Sequence, residues 1–560
     1  MSYNLENPLI IQSDGTVLLE VHNPKFEEAR NILAGFAHLE KSPEHVHSYS
    51  ITSLSLWNAK ASGLIAEDIV RSLELYTKYP IPDVVINEIR ETSERFGKIS
   101  LVKLPDGRLS LQSDDENLLF QLIKNPAVKD LVKFNGEAAF SEEKVTVDPK
   151  YRGLIKQKFV ELNYPVKDLA GFTDGEDYAV EMREIGLDNL PFTLRNYQKS
   201  AVDAFIGGGD LQGGSGVIVL PCGAGKTVVG IKAMAQISKK TLILVTNITA
   251  AHQWTREILN RTSLRAEDIG EYSGETKEIK PITVATYQIL TYRKDKDDPF
   301  VHFEIFDKQD WGLIIYDEVH LLPAPVFKFT AEIQARRRLG LTATLIREDG
   351  LQTDVFALIG PKKFDMPWKD LEKDGWIATA RCIEIRINLD EESKVDFLSL
   401  ARRDQVRIAY ENKNKTEIVA DLLQKHKGEK ILILGQYINQ IDDLGQRFNA
   451  PVIKGTTKNS ERDGLYERFR NGDLNLLILS RVGNMAVDLP DANVAIQVSG
   501  MFGSRQEEAQ RLGRILRPKQ NGSQATFYSV VTRDTAEADF AMKRQIFLVE
   551  QGYPYEIIYA

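Results

Sequence analysis

The chain has 560 residues, 42% of them hydrophobic and 27% charged, too long for one ordinary core, and three or four domains are expected. Its two cysteines, Cys222 and Cys382, exclude a disulfide framework or a zinc cluster and suit a reducing compartment. The net charge is −9, yet residues 1–190 hold 21 basic and 31 acidic residues, so the remainder is near +1 and can carry a local basic groove for nucleic acid.

The opening stretch MSYNLENPLIIQSDG lacks a basic region followed by an apolar core, and no later segment approaches 18 uncharged apolar residues. A cytoplasmic chain with no membrane partner is expected. From 1 to 105, the apolar periodicity of KFEEARNILAGFAHLE and AEDIVRSLELYTKYPIPDVVINEIRETSERFG predicts amphipathic helices. His45 and His47 have no cysteine nearby and read as loop or packing residues rather than metal ligands. From 106 to 188, short runs such as LVKFNGEAAF and KVTVDPKYRG predict a small α/β domain, with GFTDGEDYAVEMREIGLDNL as its exit. GGGDLQGGSG, 207–216, reads as a flexible loop inside the next domain.

From 189 to 367 and from 368 to 546, apolar strands alternate with helical patterns. TLILVTN, ITVAT, LIIYDE and RLGLTAT lie in the first block; KILILGQ, APVIKG, LNLLILS and VAIQVS lie in the second. This alternation predicts an α/β fold of two parallel sheets covered by helices, with ligands at the carboxyl ends of the strands. Residues 547–560 are expected to form a C-terminal tail. Arg336, Arg337 and Arg338 are compatible with a solvated helix face or with DNA contacts.

In the first block, LPCGAGKT sits between the strand-like GVIVL and the helix-like TVVGIKAMAQI. Such a turn lets backbone amides converge on phosphate oxygens at a helix N-terminus. Gly223, Ala224, Gly225, Lys226, Thr227 and Val228 would hold the nucleotide, with Lys226 on the outer phosphates and Thr227 on magnesium. Leu220 stands where the simplest form of this motif has its first glycine, so the turn alone is weak evidence. The second motif is WGLIIYDEVH, 311–320, a strand ending in two carboxylates 91 residues beyond Lys226. Asp317 fits a magnesium ligand and Glu318 a group that orients the attacking water, although an acidic pair after a strand can be an ordinary solvated turn.

Together the motifs resemble superfamily 2 helicases, which carry two RecA-like lobes with ATP in the cleft between them. The resemblance implies that Arg195 and Gln198 of LRNYQKSAV read adenine. It implies that Thr342 and Thr344 of LTAT couple the ATP site to DNA, and that Gln510, Arg514 and Arg517 of QRLGRILRP face the γ-phosphate from the second lobe. DEVH followed by IREDG resembles the XPB family, in which the triplet here formed by Arg347, Glu348 and Asp349 is associated with duplex opening. PLIIQSDGTVLLEV and LEKSPEHVHSYSIT also look like the N-terminal domain of bacterial XPB-type helicases, and 106–188 falls where the family has a damage-recognition-like domain. The family's thumb insertion would fall near 390–412, where Arg402, Arg403 and Arg407 cluster.

The resemblance implies an ATP- and Mg²⁺-dependent DNA helicase or double-strand translocase of 3′–5′ polarity, acting in DNA repair such as nucleotide excision repair. Single-strand/double-strand junctions would be its substrate, and a nuclease or repair protein a partner. An RNA helicase and an ATP-gated DNA clamp that does not translocate stay open as alternatives.

Overall fold

The computed structural model describes residues 4–43, 45–134, 144–187, 189–207, 213–221, 223–293, 301–306, 308–323, 326, 330, 336–343, 352–366, 371, 380–480, 492–500, 525–550, 553 and 555–560. The N-terminal unit is a four-stranded antiparallel sheet in the order Leu9–Ile11, Thr16–Glu20, Val46–Ser50, His38–Lys41. In Thr16–Glu20 every second side chain, Val17 and Leu19, is buried, as the two-residue repeat of a strand dictates. Helices Phe26–Leu33, Ser53–Ala61, Ala66–Tyr76 and Asp83–Arg95 accompany the sheet. Thr52 caps the second of these by accepting the Ser55 amide at 3.2 Å. His45 is exposed beside His22. His47 is buried, and burial with the Arg30 charge pushes its imidazole down to about 4, the behaviour of a packing residue.

A second, five-stranded sheet runs Val132–Phe134, Val145–Val147, Leu109–Gln112, Ser100–Lys103, Lys167–Asp168, with helices Glu116–Ile123 and Arg152–Glu161. Its hairpin Ser100–Lys103/Leu109–Gln112 spans residue 105, so this sheet begins ahead of the boundary expected there.

Two seven-stranded sheets follow, and every adjacent pair in each is parallel. The first runs Ile269–Tyr272, Ile282–Thr286, Thr241–Val245, Leu313–Asp317, Arg337–Thr342, Ser215–Val219, Lys362–Asp365. The second runs Val452–Ile453, Leu476–Leu479, Ile431–Leu434, Val494–Gln497, Ala525–Thr532, Ala380–Ile387, Tyr555–Tyr559. Central strands such as Thr241–Val245 and Ile431–Leu434 are buried at every residue, because helices cover both faces of a parallel sheet.

Two expectations are corrected here. Residues 547–560 are not a tail, since helix Ala536–Glu550 carries the chain back and Tyr555–Tyr559 becomes the edge strand beside Ala380–Ile387. Arg337 and Arg338 begin a strand rather than lie on a helix. Arg338 is fully buried, donating to the Leu358 carbonyl at 2.8 Å and the Ser215 hydroxyl at 3.0 Å, so it is a structural cation and not a DNA contact. Near the expected thumb, Glu391–Phe397 and Arg402–Tyr410 form two short helices. Arg402 and Arg403 are exposed, while Val406, Ala409 and Tyr410 are buried.

The units pack on one another. Helix Arg152–Glu161 lies on helix Gln352–Leu358, where Gln157 donates to Asp354 at 3.1 Å. Asn58 accepts the Lys362 amide at 2.9 Å, and Trp57 lies near Phe356. On the opposite flank Ile546 and Val549 of the C-terminal helix complete the apolar core of the N-terminal unit, and Gln545 donates to the Ser42 carbonyl. The N-terminal unit therefore touches both parallel-sheet lobes.

Candidate active site

Strand Arg337–Thr342 lies between Ser215–Val219 and Leu313–Asp317, with Thr342 level with Val219 and Leu341 level with Asp317. This register delivers the three motif-bearing loops to one edge of the first lobe, where the carboxyl ends of parallel strands leave room for a ligand.

After Ser215–Val219 the chain turns through Gly223 and Gly225, whose φ angles of 84° and 82° lie in the left-handed region that glycine adopts without a steric penalty. At Gly225 a Cβ would stand 2.5 Å from Gln198 Nε2, so any larger residue would push that amide away from the turn. Helix Lys226–Ile237 then begins, with Thr227 half-buried and Val228 buried in its first turn. The turn is held from beneath. Tyr197 Oη and Gln198 Nε2 both donate to the Ala224 carbonyl, at 2.7 and 3.0 Å. Gln198 Oε1 accepts the Arg195 amide at 3.0 Å, and Arg195 donates to Tyr197 Oη at 2.9 Å. Gln198 is thus buried and engaged with the phosphate turn, while Arg195 stands half-buried beside it.

The Lys226 ammonium lies 3.2 Å from Glu318 Oε1, and both side chains are largely shielded, 11% and 16% exposed. Asp317, next in the chain to Glu318, accepts the Trp254 indole N–H at 2.8 Å on Oδ2 and the Glu318 amide at 3.1 Å on Oδ1. Its carbonyl accepts the Tyr287 hydroxyl at 2.8 Å. Glu318 has φ 50°, ψ 54°, a left-handed conformation that a non-glycine residue adopts at an energetic cost. Burial and the adjacent Glu318 carboxylate push the Asp317 carboxyl up to about 6. Burial acts on Glu318 in the same direction, but Lys226 and then His320 outweigh it and hold that carboxyl below its ordinary range. His320 Nδ1 stands 3.5 Å from Glu318 Oε2 and 2.6 Å from Thr342 Oγ1. A continuous polar path therefore runs from Lys226 through Glu318 and His320 to Thr342.

Of the residues expected at the site, Arg195, Gln198, Gly223, Ala224, Gly225, Lys226, Thr227, Val228, Asp317, Glu318 and Thr342 belong to these three loops and their helical support. Thr344, Arg347, Glu348, Asp349, Gln510, Arg514 and Arg517 lie outside the described residues. Sequence reasoning missed Tyr197, Trp254, Tyr287 and His320. A tryptophan in an amphipathic helix signals burial, but no local pattern says which carboxylate its N–H meets.

The donor set is compatible with magnesium. Thr227 and Asp317 offer hard oxygens, Glu318 Oε2 is a buried oxygen with no hydrogen bond among the described residues, and Asp317 is an acid that a nearby cation would favour as carboxylate. Among the described residues no group of three or more His, Cys, Asp or Glu could hold a metal. Magnesium in phosphate sites uses one or two protein ligands with the phosphates.

Two parallel α/β lobes, the first carrying a glycine phosphate turn beside an Asp-Glu strand end, define the class: P-loop motor enzymes of the helicase type. Residues 371–560 match the family described as ERCC3/RAD25/XPB C-terminal helicase, 191–347 the type III restriction enzyme res subunit, and 9–135 a helicase conserved C-terminal domain. Over 552 residues the chain is 50% identical to the DNA 3′-5′ helicase XPB of Mycobacterium tuberculosis, spanning 99% of this chain and 98% of that protein. It is 49% identical over 553 residues to the DNA 3′-5′ helicase XPB of Kineococcus radiotolerans, spanning 99% and 96%. It is 32% identical over 609 residues to the transcription and DNA repair factor IIH subunit XPB/SSL2 of Saccharomyces cerevisiae, spanning 98% and 72%. The chain belongs to the XPB family of ATP-dependent DNA helicases. No helix among the described residues is long and apolar enough to cross a membrane.

Proposed function

We propose that the chain is an ATP-driven 3′–5′ DNA helicase or duplex translocase that works at single-strand/double-strand junctions during cytoplasmic DNA repair, together with a nuclease or another repair protein. The observation that carries the reading is the shielded Lys226–Glu318 pair beside Asp317. Lys226 leaves Glu318 when phosphate oxygens arrive, because a polyphosphate offers it more negative charge than one carboxylate does. Glu318 is then free to orient the attacking water, and its charge is kept by its low proton affinity. Thr227 and Asp317 would hold magnesium, which would supply charge neutralisation to the phosphates. Gln198 and Arg195 stand beside the turn to meet adenine, and Gly223, Ala224, Gly225 and Val228 shape the cradle. Gln510, Arg514 and Arg517 would complete the site from the second lobe. His320 reports the state of Glu318 to Thr342, ahead of Thr344 and the Arg347–Asp349 triplet, which would meet DNA.

The test measures ATP turnover with duplex, forked and single-stranded DNA and with the same strands as RNA, alongside strand displacement on forks with 3′ or 5′ tails. DNA-stimulated turnover and displacement from 3′-tailed forks are expected. Equal stimulation by RNA would favour an RNA motor, and hydrolysis without displacement or translocation would favour a clamp.

A further inference from the structure

A cavity of about 460 Å³ lies away from the ATP site, where the N-terminal unit, the five-stranded unit and the first lobe meet. Its size falls within the roughly 300–1,000 Å³ typical of small-molecule sites, and junctions between domains are a preferred location for them. Each contributor brings positive charge. Lys60 comes from the N-terminal helix Ser53–Ala61, Lys98 from the connector to the second sheet, Lys156 and Lys167 from the second unit, and Arg338 and Lys363 from the first lobe. Three carboxylates, Glu94, Asp114 and Asp168, also line it, so cations are in excess by three.

Asp168 is already committed. It accepts from Arg152 at 2.8 and 3.0 Å and from Lys156 at 3.2 Å. By contrast, Lys60, Lys98 and Lys167 make no ion pair among the described residues. Phe96, Phe172 and Phe356 supply aromatic wall beside these charges, and the Arg152 and Arg338 guanidinium groups both lie over the Phe172 ring, at 5.6 and 5.8 Å. Like charges gathered from three units onto a partly shielded, low-dielectric surface repel one another, and an anion would turn that repulsion into mutual attachment.

We infer that this junction binds a small anion carrying a pyrophosphate group, with the phosphates on the lysines and any attached ring against the phenylalanines, and that the bound anion fastens the two N-terminal units to the first lobe. Lys156 is consistent with this. Burial, with the nearby Arg338 and Arg152 charges, pushes its ammonium down to about 7 despite Asp168, so an arriving anion would favour its protonated form. The pyrophosphate group could belong to a nucleotide or to inorganic polyphosphate.

The test uses the full chain carrying Lys226→Ala to weaken the P-loop, with inorganic pyrophosphate and ADP titrated separately by calorimetry. One saturable site per chain is expected for pyrophosphate, with a rise in the thermal unfolding midpoint. Tighter binding of ADP would identify a nucleotide, and equal binding the inorganic anion. Adding Lys60→Glu and Lys98→Glu should weaken binding by at least about tenfold, because repulsion then replaces attraction. The neutral pair Lys60→Gln and Lys98→Gln should give a smaller loss at an unchanged unfolding midpoint of the ligand-free chain. Pyrophosphate binding that is unsaturable, or unchanged in both lysine pairs, would overturn the site. So would displacement by duplex DNA at matched phosphate concentration, which would make the surface part of the DNA track.

Discussion

Lys226 and Glu318 restrain each other at 3.2 Å, so under the proposed mechanism these two side chains would neutralise one another until phosphate separates them. Glu318→Gln should leave nucleotide affinity near the wild-type value and reduce turnover by about 10²–10⁴, the usual contribution of a positioned proton acceptor. Lys226→Ala should instead bring hydrolysis near background while nucleotide-free DNA binding survives. Steady-state turnover, nucleotide affinity and DNA binding check both, and wild-type turnover in either variant would remove that residue from the site. Trp254 offers a pH test. Its indole N–H helps hold down an Asp317 carboxyl that burial and Glu318 raise to about 6. Below that value Asp317 is protonated and a poor cation ligand, so activity should be present above it and lost as pH falls through it. Trp254→Phe removes the donor, raises the Asp317 value further and should move the acid limb of kcat/KM to higher pH. An unmoved limb would assign that limb to another group.

Helices and strands differ in how much of their arrangement can be read locally. GVIVL and TVVGIKAMAQI predict a strand and a helix, and the chain forms them as Ser215–Val219 and Lys226–Ile237, because burial and periodicity are written within each segment. Sheet order is not written there. Nothing in RRLGLT says that it enters between two strands starting more than 20 residues before it and more than 120 before it, yet that order brings Thr342 and His320 to 2.6 Å. The helical repeat of ITAAHQWTREILNR marks Trp254 as buried but not as the partner of Asp317, which lies 63 residues away. The same blindness to distant pairing turned YEIIY into a tail when it is an edge strand. Helix Ala536–Glu550 belongs to this class, since Ile546 and Val549 fill a core formed otherwise by residues 9–89. Ile546→Ala should cost roughly 2–5 kcal/mol there. Hydrogen exchange should accelerate within 9–89 while Leu313–Asp317 keeps its protection. Equal acceleration in both would mean that the units unfold as one.

Across the whole molecule, the proposed mechanism joins residues that the chain keeps far apart. Lys226 and Arg514 are 288 positions apart, so their cooperation would require the two lobes to close on one nucleotide. Arg514→Ala should leave nucleotide binding largely intact and lower DNA-stimulated turnover by about 10³–10⁵, against about 0–1 kcal/mol for a surface ion pair. A loss below about threefold, small on the rate scale, would return Arg514 to an ordinary solvated face. The N-terminal unit complicates such closure, since Asn58 holds Lys362 of the first lobe while its core takes in Ile546 and Val549 of the second. That shared core also sets a schedule for synthesis. Ile89 leaves the ribosome 457 residues before Ile546, which at about 5–20 residues per second is roughly 20–90 s. For that interval the first-made core presents to the cell the apolar face that the last helix will cover, and it stays open to chaperones and to premature association until then.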